Sequence, residues 1–411
     1  MKNFVPVLLI LTLFLCCKNI RTDGATNEDS DSNTTEIVDT TIYPGIYQIE
    51  DYLNLIDGKN IGIVGNQTSI INGTHLVDTL LNLEQNVVKV FCPEHGFRGN
   101  MDAGETFDDS TDPKTGLPII SLYGDNKKPY DAQVQGLDIV IFDLQDVGVR
   151  FYTYISTLHY VMESCAENNI PLIVLDRPNP NGHYVDGAIL DTANYRSFIG
   201  MHPVPVVYGM TIGEYAQMIN GEKWLKNGIE CDLTVIKCKN YNHNRKYSLP
   251  VKPSPNLPND RSIQLYPSLC FFESTNLSIG RGTNNQFQII GHPAFSQVPV
   301  ADFTFTPKSN EGATNPKLNG ELCYGFNLTA DNSIFEWKND KLNIALFKKV
   351  FELFPDKVNF FKETNSMELV SGYSDFRFQI KDDISEEDIR ASWEPGLTEF
   401  KEKRKKYLLY E

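Results

Sequence analysis

Short, unbroken apolar runs recur along the chain between stretches of helical periodicity. Asn60–Asn66, Val87–Phe91, Leu117–Tyr123, Leu137–Asp143, Ile170–Asp176 and Asp232–Ile236 each read as a strand buried on both faces. Apolar residues three and four apart predict helices over Ile46–Leu55, Gly73–Leu83 and Tyr152–Asn168. Another runs from Thr211 to about Trp224, opened by a Thr211/Glu214 capping box. Wholly apolar strands alternating with helices predict an α/β fold around a parallel sheet covered on both faces.

The texture changes at Lys239. Residues 239–268 are rich in Pro, Asn and Tyr and predict a long irregular segment, a kind that usually carries function or joins domains. Strand-like pieces follow at Phe287–Ile290 and Gly325–Thr329, then an amphipathic helix at Leu342–Phe354 and a charged one at Glu386–Tyr407. The expected organisation is a larger α/β domain over residues 41–275 and a smaller α+β domain over 276–411.

The first residues bear on compartment. Lys2 precedes an apolar run, Phe4–Leu15, too short to span a bilayer and suited to a secretory signal over residues 1–17. It ends at Cys16-Cys17, like a bacterial lipoprotein site, with either Cys as the lipidated one. Residues 18–40 are polar and carry −4 of the chain's −16 charge, as expected of a disordered tether. The expectation is an exported, periplasmic or cell-envelope lipoprotein that meets the membrane only through this anchor. So acidic a chain is ill suited to nucleic acid. The other six cysteines, Cys92, Cys165, Cys231, Cys238, Cys270 and Cys323, show no Cys-x-x-Cys spacing and read as buried small hydrophobes.

Polar clusters follow the apolar runs. Asn66-Gln67-Thr68, Pro93-Glu94-His95-Gly96, Asp143 to Gly148 and Asp176 to Pro180 each close a predicted strand, so a parallel sheet brings all four to one edge. Four such ends describe a pocket floor. Arg150, Tyr152 and Tyr154 add a cation and two phenols. Aromatic faces beside amides, carboxylates and guanidinium groups suit a sugar. Asn256 and Arg281 lie in later Pro- and Gly-rich loops. Dinucleotide, P-loop, nucleophile-elbow and His-Glu-x-x-His motifs are absent from the sequence. Glu94 and His95 with Asp108 and Asp109 could hold a metal, but no second histidine stands at ligand spacing, and neither metal nor cofactor is expected.

Seven motifs stand in an order that resembles the bacterial exo-β-N-acetylmuramidases, glycoside hydrolases formerly an uncharacterised conserved family. They are Pro93-Glu94-His95-Gly96-x-Arg98-Gly99, Ser121-Leu122-Tyr123-Gly124, the stretch Phe142 to Tyr154, Leu175 to Pro180, Gly209-Met210-Thr211-x-Gly213-Glu214, Ser254-Pro255-Asn256 and Gly280-Arg281-Gly282-Thr283. One departure is Gln286, where members usually carry Pro before Phe287. The resemblance implies a Rossmann-like larger domain without nucleotide, an active site in the cleft beside the smaller domain, and release of N-acetylmuramic acid from peptidoglycan fragments. It makes Glu94 the catalytic acid. Asp143 or Asp146 would be its partner carboxylate, unless the sugar's own 2-acetamido group attacks. Arg150, Arg177 or Arg281 could take the lactyl carboxylate. Asn66, His95, Arg98, Gln145, Tyr152, Tyr154, Asn179 and Asn256 complete the expected sugar-binding set. Two other functions compatible with these residues are a lipid-anchored sugar-binding protein without catalysis and a metal-dependent amidase.

Overall fold

The computed structural model describes residues 39–94, 96–98, 109–331 and 335–411. The expected signal, its cysteines and nearly all of the tether lie outside the described residues, as do His95 and Asp108.

The strands β1 (Ile61–Gly65), β2 (Val87–Cys92), β3 (Ser110–Thr111), β4 (Pro118–Ser121), β5 (Ile139–Asp143), β6 (Leu172–Leu175) and β7 (Leu233–Ile236) form one seven-stranded sheet. Their order is β3-β4-β2-β1-β5-β6-β7, parallel except where β3 meets β4. The two exposed residues of β3 carry no apolar signal, which is why the sequence pattern does not announce them. The six parallel strands are the six apolar runs, five of them trimmed by one to three residues and β2 longer by Cys92.

Alternation along the strands divides the interior. Ile61 and Ile63, Ile139 and Ile141, Ile173 and Leu175 point to one core, which holds Tyr52 and Ile56 of α1 (Ile49–Ile56) and Leu76 and Leu80 of α2 (Leu76–Asn82). Val64, Val140, Phe142, Leu172 and Val174 point to the other, against α3 (Tyr154–Glu167) and α4 (Ile212–Gly221). Helices on both faces explain strands with no polar side. The Thr211/Glu214 capping box opens α4 as expected.

The smaller C-terminal domain holds an antiparallel sheet of β8 (Ile289–His292), β9 (Phe303–Phe305) and β10 (Cys323–Asn327), ordered β8-β10-β9. Helix α5 (Asp260–Leu269) leads into it, and its own helices include α6 (Ile344–Leu353) and α7 (Glu386–Arg404). Phe271, Phe347 and Phe376 belong to the same buried cluster as Phe142, so the core runs on from the large sheet. Helix α5 corrects the expectation of irregular chain through residue 268. Asn259 accepts from the Ser262 amide at 2.9 Å, and the Ser262 hydroxyl in turn takes the Asn259 amide at 3.2 Å. Pro267 in its last turn leaves the Ile263 carbonyl without its helical donor. Asn181 Nδ2 supplies one at 3.3 Å.

All six described cysteines are free and buried. Among the described residues no helix is long and apolar enough to cross a membrane, and no cluster of His, Cys, Asp and Glu could hold a metal ion.

Candidate active site at the sheet's carboxyl edge

The chain builds outward from β1 through β2 to β4, then returns to place β5 on the other side of β1. Ligands of open α/β sheets bind beyond the strand ends at such a reversal.

Cys92 of β2 lies opposite Ser121 of β4. Glu94 and Tyr123 therefore emerge together, each two residues past its strand, and the Tyr123 hydroxyl hydrogen-bonds Glu94. Burial and then the Glu94 charge push the Tyr123 phenol up, so it stays protonated and donates. On the other side Gly65 of β1 pairs with Asp143 of β5. This sets Asn66 beside the loop that leads into α3. Asn66 Nδ2 donates to the Tyr154 hydroxyl at 2.8 Å, while its Oδ1 accepts from the Thr68 amide at 2.9 Å. The Tyr152 hydroxyl donates to the Pro253 carbonyl at 2.8 Å and so ties down the Pro-rich segment. The Tyr152 and Tyr154 rings meet edge to face, with centroids 4.8 Å apart.

These groups enclose a cavity of about 70 Å³, lined by Glu94, Phe151 to Tyr154, Ser254, Asn256, Leu257, Tyr266, Arg281 and Phe287. Glu94 is the one carboxylate among the described lining residues. Asn256 Nδ2 donates to the Gly312 carbonyl at 2.6 Å, which identifies its Oδ1 as the atom without a partner among the described residues. Arg281 donates Nε to Glu273 at 2.6 Å and lies 5.1 Å over the Phe287 ring. Its two terminal nitrogens make no hydrogen bond to a described residue. Phe287 holds a left-handed backbone, φ 54°, costly for so bulky a residue and found where function fixes the geometry.

Of the expected site residues, the structure brings Glu94, Tyr152, Tyr154, Asn256 and Arg281 to one cavity, with Asn66 directly behind. The others are spent elsewhere. Asp143 is fully buried, and Arg177 grips both of its oxygens, at 2.7 and 2.8 Å. Burial opposes the Arg177 charge, and the Asp143 carboxylate outweighs it. Neither lines the cavity. Gln145 donates to the carbonyls of Asp146 and Pro178, at 2.8 and 2.9 Å. Asn179 donates to the Met210 carbonyl at 2.8 Å and packs so closely on Gly148, φ 75°, that a Cβ there would lie 2.2 Å from Asn179 Oδ1. Arg150 is wholly enclosed and donates to the carbonyls of Ala188, Val204 and Val370. It pins the helical C-terminal region, and burial brings its guanidinium down to about 9. Arg98 pairs with Asp112 at 2.8 Å and covers the Phe97 ring. His95 lies outside the described residues.

Asp146 is a separate case. It is buried beside the Tyr152 and Tyr154 phenols but does not line the cavity. Its Oδ2 accepts from the Gly148 amide at 2.6 Å and from the Tyr208 hydroxyl, while Oδ1 has no partner among the described residues. Burial pushes its carboxyl up from 3.8 to about 7. A raised folded-state pKa favours folding fully below pH 4 and loses that benefit as pH climbs through 7. Asp146→Asn removes this loss. Urea unfolding at pH 8 is expected to show the variant more stable, by on the order of 4 kcal/mol at most, with the gap closing at pH 4. Equal pH dependence in both proteins overturns the assignment.

The sequence pattern does not mark Tyr266 and Phe287 of the cavity wall, nor Tyr123 and Glu273 behind Glu94 and Arg281. Only Tyr123 carried a usable signal: it stands as far past β4 as Glu94 stands past β2.

The chain matches the family profiles described as exo-beta-N-acetylmuramidase NamZ, N-terminal, over residues 61–261, and C-terminal, over residues 264–410. It is 38% identical over 386 residues to a Bacillus subtilis protein named peptidoglycan beta-N-acetylmuramidase NamZ, covering 88% of this chain and 89% of that one. Crystal structures of two DUF1343 family proteins from Bacteroides fragilis share its fold, with TM-scores of 0.81 and 0.78 at 43% and 28% identity. Each alignment covers 90% of this chain and 99% of the other. Nearly the whole folded body is matched in order by both domain profiles, and the chain belongs to the exo-β-N-acetylmuramidase NamZ family.

Proposed function

We propose that the protein is an exo-acting glycoside hydrolase that releases N-acetylmuramic acid from the non-reducing end of peptidoglycan fragments. The observation that carries this reading is a cavity whose described lining holds one carboxylate, Glu94, and one guanidinium with an uncommitted edge, Arg281, at the sheet's switch point. The named activity of the Bacillus subtilis relative supports it.

In this reading Glu94 gives its proton to the leaving glycosidic oxygen, held in line by the Tyr123 hydroxyl. In the same reading the sugar's 2-acetamido oxygen displaces the leaving sugar at C1 while the acetamido N–H donates to Asn256 Oδ1, and water then adds at C1 to open the ring so formed, giving its proton to Glu94. Arg281 takes the 3-O-lactyl carboxylate through its terminal nitrogens, the bidentate geometry that guanidinium groups favour. Of the three arginines considered from sequence, Arg150 and Arg177 are already committed inside the fold. The apolar run before Cys16-Cys17 supports export and a lipid anchor as part of the same reading.

Two defined disaccharides test it. Mass analysis is expected to show free N-acetylmuramic acid from the one with muramic acid at its non-reducing end, and no cleavage of the one with N-acetylglucosamine there. The reverse pattern, or no cleavage of either, overturns the reading.

A further inference from the structure

Behind Arg281, away from the cavity, stand two more charges. Glu273 accepts from Arg281 Nε at 2.6 Å, and Lys317 Nζ lies 3.7 Å from the other Glu273 oxygen. Lys317 closes the end of a short 3-10 turn, Cys270–Ser274, and donates to the carbonyls of Thr275, Glu273 and Phe272 at 2.8, 3.0 and 3.3 Å. Both outer groups are held charged or nearly so. Although burial opposes it, the Arg281 and Lys317 charges bring Glu273 down to about 2. Burial lowers Lys317 to about 8.

Charge counting shows what Lys317 adds. Arg281 and Glu273 alone would cancel, leaving a guanidinium with good geometry and little attraction for an anion. With Lys317 the group of three carries +1, to which the nearby Lys362 adds, and of the three Arg281 alone lines the cavity. We propose that Lys317, which does not line the cavity, is a selectivity residue: it offsets Glu273 so that Arg281 presents net positive charge to an acidic sugar. This rests on the assignment of Arg281 to the lactyl carboxylate. Lys317 acts through Arg281 and is a positioning residue, not a catalytic one.

The test compares a chromogenic N-acetylmuramide with its lactyl amide, the same sugar without the charge. In the wild type the acid is expected to have the lower KM, with kcat alike for the two. That preference is expected to weaken about tenfold as pH rises from 7 to 9.5 and Lys317 loses its proton. The lactyl acid stays ionised throughout that range. Glu273, Arg281 and Lys362 are the charged groups facing Lys317 from the protein, and His292 and Asp356 line the cavity on its far side. Glu273 is held down near 2 and Arg281 is raised, so neither changes charge between pH 7 and 9.5, and His292, lowered chiefly by burial, is already neutral. Lys317→Met is expected to show the weakened preference at every pH, without the drop. The wild-type pH series stands by itself if that variant does not fold. A preference that is flat to pH 9.5 in the wild type, or unchanged in a folded Lys317→Met, overturns the proposal. Arg281→Ala separates the two levels. If it keeps the full preference for the acid, Arg281 is not the carboxylate receptor and both assignments fall. Continued cleavage of the amide would still leave the glycosidase reading intact.

Discussion

Glu94→Gln is expected to lower kcat/KM for a muramyl disaccharide about 1000-fold, the middle of the range for loss of a positioned general acid. Glutamine keeps the shape and still accepts from the Tyr123 hydroxyl, so the fold and the cavity should survive. Only the transferable proton is lost. The sugar alkoxide of a disaccharide is a poor leaving group and needs that proton as the bond breaks. Nitrophenolate leaves without much help. A nitrophenyl muramide should therefore lose far less, about tenfold in kcat/KM, which reports the bond-breaking step. That contrast separates a missing acid from a damaged site, because damage would impair both substrates alike. A disaccharide rate within tenfold of the wild type removes Glu94 from the chemistry.

The large sheet was legible because burying both faces leaves a plain signature. Ile139 to Phe142 can be nothing polar when helices cover each side, and the six parallel strands follow from such runs. The strand-end clusters were legible for the same reason: polarity resumes where the cover stops. What each polar group does there was not. Asp143 and Arg177 stand in the same kind of position as Glu94, yet they meet each other and close the floor. Gln145 and Asn179 hold loop carbonyls that have lost strand partners. A sequence shows that a side chain reaches the edge of a sheet, not which neighbour it finds there. Arg150 makes the point from the opposite side: a cation beside two site tyrosines in sequence turns inward to carbonyls as distant as Val370. The arginine with a free edge toward the cavity, Arg281, owes its orientation to Glu273 and Phe287, and neither had a pattern to mark it. Helix α5 hid because its cap is an Asn259/Ser262 pair and its proline is compensated from Asn181, a contact 82 residues away.

Arg177→Met is expected to destabilise the protein by about 3–5 kcal/mol in urea unfolding at pH 7, because it strands the Asp143 carboxylate in the interior. Asp143 is 0% exposed, and Arg177 supplies both side-chain hydrogen bonds to it, at 2.7 and 2.8 Å. Thr68 loses a donor to its carbonyl as well, at 2.9 Å. Replacing both partners behaves differently. A buried ion pair repays little more than its own desolvation, so Asp143→Leu with Arg177→Met should recover most of the lost stability. The double variant also decides a chemical question. If Asp143 were the second carboxylate of the reaction, a folded protein without it would lose activity by orders of magnitude. With the pair acting as a fastener between β5 and β6, kcat for a muramyl disaccharide should stay within about tenfold of the wild type. A stable but inactive double variant would return Asp143 to the mechanism and displace the acetamido group as nucleophile.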